Sequence, residues 1–308
     1  MMFEKITDDI DKIVIRSVYK GMDQVNCYLI KGNNGVTIVD TGDYSEPALE
    51  SWEKVFATGL KIEKVVLTHT HKDHIGLAKW FQETKGVPVY LARDGYDEMQ
   101  KYLEPDFDEK FNALLNKYGF TKGPVYYQKD PFIYDFEPAG FFEREGTIQL
   151  GNDTYEIIWT PGHAPDHYCF YQKDKHIMFA GDHIINNMSP VVGLWTAEEA
   201  NVLKDYLASL DVIKKYPAEI ALAGHGETIY NLQEQADQIR AKHAHRLEQL
   251  LEIIDGNWLT AEDVCETIYG PVNAVGPFMA TLTRMLYLEA EERLERMDKH
   301  GTVYFKTV

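Results

Sequence analysis

The sequence predicts an α/β fold over residues 1–230, followed by a small domain of winged-helix type over 231–308. Three observations predict it. Short β-branched runs alternate with helix-like runs through the first 230 residues. Histidines and aspartates recur just after those β-rich runs. Beyond Tyr230 the pattern changes to long helices and a terminal β-rich segment.

The segments IVIRSVY (13–19), VNCYLIK (25–31) and VTIVD (36–40) read as strands, with Asn33-Asn34-Gly35 as the turn between the last two. Residues 47–56 read as a helix and VVLT (65–68) as a strand. IGLAKWFQET, following His74, is amphipathic and helical, and PVYLA (88–92) returns to strand. Residues 93–145 differ. Helix-like stretches such as DEKFNALLNKYGF are mixed with thirteen aromatics, so the segment reads as a cap or insertion rather than further strands. Its aromatics suit either an apolar pocket wall or ordinary packing.

Strands resume at TIQL (147–150), TYEIIWT (154–160), YCFYQ (168–172), HIMFAGD (176–182) and EIALAG (219–224), with a helix over 197–215 that Pro217 stops. The tail reads as helices over 232–255, 261–269 and 276–299, then TVYFKTV as a short strand or wing. Thr260 with Asp263 three residues on is a capping signal for the middle helix.

Composition bounds the partners. A hydrophobic share of 44% suits an ordinary soluble core. Lys and Arg number 31 against 49 Asp and Glu, a formal charge of −18, which disfavours polyanions. The tail itself holds eight basic and thirteen acidic residues, so a nucleic-acid partner is not expected there. Cys27, Cys169 and Cys265 are too few and too scattered for a disulfide framework, and they fit a reducing compartment. The N-terminus shows no apolar leader, and no apolar stretch approaches a membrane span. A cytoplasmic location without membrane association is the expectation.

The chemistry concentrates in THTHKDHIG (68–76). His69 and His71 point the same way on an extended segment, and Asp73 and His74 follow where a helix begins. Asp73 alone would also suit a helix cap. His163 in TPGHA, Asp182 in FAGD and His225 in AGHGE each follow a β-rich run, and Asp40 in VDTG ends another. Strand ends of one sense collect at one edge of an α/β sandwich, so these residues are expected to converge. Gly162, Gly181 and Gly224 would let the backbone turn beside them. Imidazoles and carboxylates in this number suit divalent zinc, with iron and manganese also admitted. By contrast, His243 and His245 sit two apart on a helix and face opposite ways.

At these residues the sequence resembles the metallo-β-lactamase superfamily, whose pattern is HxHxDH, a distant His, an Asp and a final His. The resemblance covers about residues 12–230 and implies an αββα sandwich. It implies two metal ions: one held by His69, His71 and His163, the other by Asp73, His74 and His225, with Asp182 bridging. Asp40 resembles the family's carboxylate that orients a ligand histidine. Residues 231–308 resemble the winged-helix tail of a subgroup, the lactamase-β-like proteins.

The expected activity is hydrolysis of an ester-, thioester- or lactone-like small molecule by a water activated between two metals, with Asp73 or Asp182 carrying the proton to the leaving group. A phosphodiesterase or endoribonuclease is the rival enzyme, and a metal-binding regulatory protein without catalysis is the rival of another class. His167 is expected behind the ligands and His183 turned away from them. Asn186, Asn187, Met188 and Trp195 are expected at the pocket mouth. A homodimer through the cap or tail is a further expectation.

Overall fold

The computed structural model describes residues 3–17, 23–127, 130–271 and 274–308. Two sheets carry most of the strands. The first has the order β1 (Glu4–Lys5), β2 (Ile10–Arg16), β3 (Gln24–Gly32), β4 (Gly35–Val39), β5 (Ile62–Val66), β6 (Val89–Ala92) and β7 (Gly140–Phe142). It is antiparallel up to β4 and parallel from β4 onward. The second has the spatial order β12 (Ile220–Ala223), β11 (Ile177–Gly181), β10 (Tyr168–Gln172), β9 (Asp153–Trp159) and β8 (Thr147–Leu150). Only its β11–β12 pair is parallel. Of the first expected strand, Val18 and Tyr19 lie outside the described residues.

The faces of the two sheets meet through one apolar cluster that includes Tyr28, Ile30, Val39 and Val66 from the first, with Tyr155, Phe170, Phe179 and Leu222 from the second. Strands β10 and β11 are buried at every position, which is why YCFYQ and IMFAG run apolar without alternation. A second cluster covers the outer faces. It joins α1 (Glu46–Ala57), through Trp52 and Val55, to the aromatic segment and to the tail.

Within 93–145, α3 (Arg93–Tyr102) and α4 (Phe107–Lys117) pack Tyr102, Phe107 and Phe111 inward. The segment is not wholly a cap, because its last residues form β7 alongside β6. The expected helix after His74 is also divided. The short α2 (Lys72–Ile75) stops at Gly76, where a Cβ would lie 2.4 Å from the Tyr44 nitrogen, and a π-helical turn follows at Trp80–Thr84. Helix α5 (Val202–Ile213) starts later than expected, capped by the Asn201 side chain on the Lys204 amide.

The tail has α6 (Leu232–Ile254), α7 (Ala261–Tyr269) and α8 (Val275–Ala290), then the hairpin β13 (Leu294–Lys299) and β14 (Thr302–Thr307). Thr260 and Asp263 form the expected reciprocal cap on α7. The last helix is thus shorter than its expected 276–299. Glu292 takes a left-handed conformation (φ 57°) that ends helical winding, and LERMDK becomes a strand with only Leu294 buried. Among the described residues no helix is long and apolar enough to cross a membrane.

Candidate metal centre

The ends of β4, β5, β9, β11 and β12 deliver Asp40, the 69–74 segment, His163, Asp182 and His225 to one edge of the sandwich. Two groups form there. His69, His71 and His163 make one, and Asp73, His74, Asp182 and His225 make the other; within each, the potential ligand atoms lie within 4.8 Å of one another. Asp182 sits between them. Its Oδ2 is 3.6 Å from His163 Nε2 and 3.3 Å from His225 Nε2, and its Oδ1 is 3.4 Å from His74 Nε2. His225 Nε2 also lies 3.3 Å from Asp73 Oδ2.

Backbone and side-chain partners fix the far side of the rings. The Nδ1 atoms of His163 and His225 face the carbonyls of Val191 at 2.9 Å and Gln24 at 2.6 Å, which requires each to carry the proton. His74 Nδ1 faces Asp40 Oδ2 at 2.8 Å. Thr68 Oγ1 donates to the same Oδ2 at 2.8 Å and therefore accepts from His69 Nδ1 at 3.0 Å. Four Nε2 lone pairs are thereby turned toward the centre. Asp40 also receives the Thr68 amide and holds φ at 60°, a left-handed conformation its hydrogen bonds maintain.

The Nε2 atoms of His69, His71, His74, His163 and His225 and both oxygens of Asp182 are buried without a hydrogen-bond partner. Each such orphan costs about 1–3 kcal/mol, so seven together need a ligand, and divalent cations fit this donor set. Electrostatics divides the two groups. Burial, reinforced by neighbouring imidazoles, lowers His69, and it pushes His71 down to about 3 with His163 adding to the effect. Burial opposes protonation of His225 as well, but Asp182 and Asp73 outweigh it and bring that ring up to about 10. His74 is raised in the same way against burial, by Asp182, Asp40 and Asp73. The first group is therefore a cluster of neutral imidazoles, whereas the second holds two ionised carboxylates that would balance a cation taking the place of the protons on His74 and His225.

Glycine tightens the arrangement. Gly162 and Gly181 have positive φ, the expected turns. At Gly224 the reason is closeness instead: a Cβ there would lie 2.3 Å from Asp182 Oδ1.

Other expected residues are placed as follows. His167 accepts the Asp182 amide on Nε2 at 3.0 Å while its Nδ1 faces Thr160 Oγ1 at 2.8 Å. His183 is buried against Tyr206, away from the cluster. His243 is buried and His245 exposed, on opposite faces of α6. Asp166 was not anticipated. Its Oδ2 receives the Thr70 amide at 2.9 Å and steadies the ligand loop. A lone carboxylate three residues past His163 was its only sequence signal.

A cleft of about 450 Å³ opens over both groups, lined by His71, Asp73, His163 and Asp182 on one side. Tyr126, Tyr127, Ile185, Met188, Val191 and Trp195 are among the apolar residues that face it. Tyr127 and Trp195 stack at 5.9 Å. Met188 and Trp195 are thus where expected, whereas Asn186 and Asn187 do not line the cleft. Of the thirteen aromatics in 93–145, Tyr126 and Tyr127 reach it.

Known proteins are similar to this chain in sequence and in fold. A probable metallo-hydrolase, YqjP of Bacillus subtilis (strain 168), is 28% identical over 98% of this chain and 99% of its own length. The hydroxyacylglutathione hydrolase GloC of Haemophilus influenzae is 30% identical over 52% of this chain and 66% of its own. Proteins named thioesterases are also among the relatives. The crystal structure of a metallo-beta-lactamase family protein from Thermus thermophilus superposes with a TM-score of 0.86, at 28% identity, over 99% of this chain and 100% of that one. The family model of the metallo-beta-lactamase superfamily matches residues 21–225, a span that holds every histidine and aspartate of the cluster. With a two-sheet fold, converging ligands and full-length relatives in agreement, the chain belongs to the metallo-beta-lactamase superfamily and is one of its hydrolases.

Proposed function

We propose that this hydrolase uses two zinc ions to cleave an acyl bond, an ester, thioester or lactone, in a small molecule with an apolar acyl part. The observation that carries the reading is the cleft: its largely apolar walls stand directly against the ligand cluster. Among the described residues its lining includes a single cation, Lys72, which is a poor match for a polyphosphate backbone. Relatives named thioesterases and a hydroxyacylglutathione hydrolase support the same class.

The bound metals would supply a Lewis acid and a water acidic enough to ionise near neutral pH. His69, His71 and His163 would hold one ion and Asp73, His74 and His225 the other, with Asp182 between them. Asp40 keeps the His74 ring aligned, and His167 keeps the Asp182 backbone in place. Asp73 and Asp182 both line the cleft, so either carboxylate can receive the proton of the attacking water and pass it to the leaving group. Tyr127 and Trp195 receive the acyl part and exclude water from the reacting carbonyl.

The test is elemental analysis of the purified protein together with a panel of thioesters, lactones, aryl esters, a phosphodiester and single-stranded RNA. About two zinc ions per chain and turnover of acyl substrates are expected. Turnover confined to RNA or the phosphodiester would move the activity to the rival enzyme class. Two bound metals with silence across the panel would make the protein a non-catalytic metal binder.

A further inference from the structure

The loop that follows Asp182 is held by the tail. Gln235 Nε2 donates to the Ile185 carbonyl at 2.8 Å, and Lys242 Nζ donates to the Asn187 carbonyl at 3.0 Å, both from α6. Thr283 of α8 donates to the Val192 carbonyl at 2.9 Å. The loop in turn presents the Val191 carbonyl to the ligand His163. Among these contacts only one reaches the cleft through a side chain. Ser189 lines the cleft, and its Oγ lies 2.9 Å from Nε2 of His243 on α6.

The direction of that hydrogen bond follows from what surrounds the imidazole. His243 is 3% exposed, and its Nδ1 has no partner. If Nε2 accepted from serine, the ring proton would sit on Nδ1 as a buried orphan donor. If Nε2 donates instead, Nδ1 keeps only an unused lone pair, and a buried N–H without a partner is the rarer and costlier of the two. Burial, with Arg284 and Arg240 adding to it, holds His243 down to about 3, so the ring is neutral and carries one proton. Ser189 Oγ therefore accepts from His243. Within the protein its own proton faces the poorly placed Pro190 carbonyl at 3.3 Å and the Tyr206 hydroxyl, which itself donates to the His183 carbonyl, so a better acceptor in the cleft can capture it. That leaves an oriented hydroxyl donor among Ile185, Met188 and Val191 in a largely apolar wall.

We propose that Ser189, oriented by His243 of the tail, is the specificity-determining donor of the cleft and selects substrates that carry a hydrogen-bond acceptor in the acyl part over purely hydrocarbon ones. The tail thereby completes the binding site. The acyl class of substrate rests on the function proposed above, but the donor itself does not. A directional group in a largely apolar wall discriminates strongly, because a bound hydrocarbon leaves it unpaired.

Three thiols of equal heavy-atom count test this on the metal-loaded full chain: 1-pentanethiol, 2-ethoxyethanethiol and 3-methoxypropane-1-thiol. Their dissociation constants are read by calorimetry. Ser189→Ala is expected to weaken at least one ether thiol fivefold or more while changing pentanethiol less than twofold. His243→Leu should reproduce that selective loss, and His243→Gln, which can still donate to Ser189, should restore the preference. If Ser189→Ala leaves all three thiols within twofold of the parent protein, the assignment is wrong. If His243→Leu fails to fold, Ser189→Ala and His243→Gln decide the matter alone. Hydrolysis of the corresponding acyl thioesters is followed in parallel. A parent protein that binds the thiols selectively but cleaves none of the thioesters would overturn the hydrolytic reading and leave the donor standing.

Discussion

Asp40 Oδ2 lies 2.8 Å from His74 Nδ1, and the same carboxylate receives both the amide and the hydroxyl of Thr68. One residue at the end of β4 thus sets the orientation of a ligand ring and the start of the ligand loop. Replacing it by Asn removes the charge that aligns His74. Asp40→Asn should weaken metal binding by about 10–100-fold, the usual effect of losing such a partner. Competition against a metal-sensitive chromophore measures it, and unchanged affinity would deny Asp40 this role.

Gly224 gives a sharper test of packing at the centre. A Cβ there would meet Asp182 Oδ1 at 2.3 Å and His74 Cε1 at 2.7 Å. Gly224→Ala should displace the shared carboxylate and lose most activity, with bound metal falling below that of the parent protein. Full metal content and activity in this variant would mean that the Asp182 loop yields more easily than its burial suggests.

Asp166 links the ligand loop to pH. Burial, with Glu98 and Asp94 adding to it, raises its carboxyl from the usual value of 3.8 to about 7. The folded protein then holds a proton that the unfolded chain has released between those two values. This group's effect on stability is therefore absent at low pH, becomes unfavourable as pH rises from about 4 to about 7, and stays so above. Asp166→Asn should remove that decline while keeping an acceptor for the Thr70 amide. Melting temperatures of the chelated proteins at pH 5 and pH 8 check it: the variant should gain on the parent at pH 8 relative to pH 5. A constant difference would exclude this titration.

Trp195 stacks on Tyr127 and also stands edge-on to His71 at 6.4 Å. It joins the apolar wall to the reacting edge. Trp195→Ala should raise KM for hexanoyl thioesters about tenfold, in line with burial energies of about 25 cal/mol per Å² of apolar area. Acetyl thioesters should respond much less. Equal effects on both chain lengths would assign the tryptophan to folding rather than binding.

The clustering of the candidate ligands was legible because each follows a β-rich run, and strand ends gather at one edge whatever the details of packing. His69 to His74 even carry their own spacing. Of the terminal hairpin, TVYFKTV read as a strand, but its partner β13 (Leu294–Lys299) was not legible. In β13 only Leu294 is buried, so no alternation marks the strand, and its charged residues continue the helical pattern of α8. Strand β7 was hidden for a related reason: three residues, Gly140–Phe142, inside a segment whose aromatics mostly fill a core. Asp166 and Ser189 were invisible as functional residues because their meaning lies in partners 96 and 54 positions away. Local pattern encodes which way a side chain points, but not what waits there.

The hydrogen bonds from α6 and α8 to the loop after Asp182 also bear on the order of assembly. Synthesis delivers His69 first and Thr283 more than two hundred residues later. Until α8 has emerged and docked, the Val191–Val192 stretch that backs His163 lacks its outer brace. A nascent chain of this kind therefore gathers its ligands early but closes their cradle late. Metal captured before that moment would sit in a looser and more exchangeable site than the one the finished protein keeps.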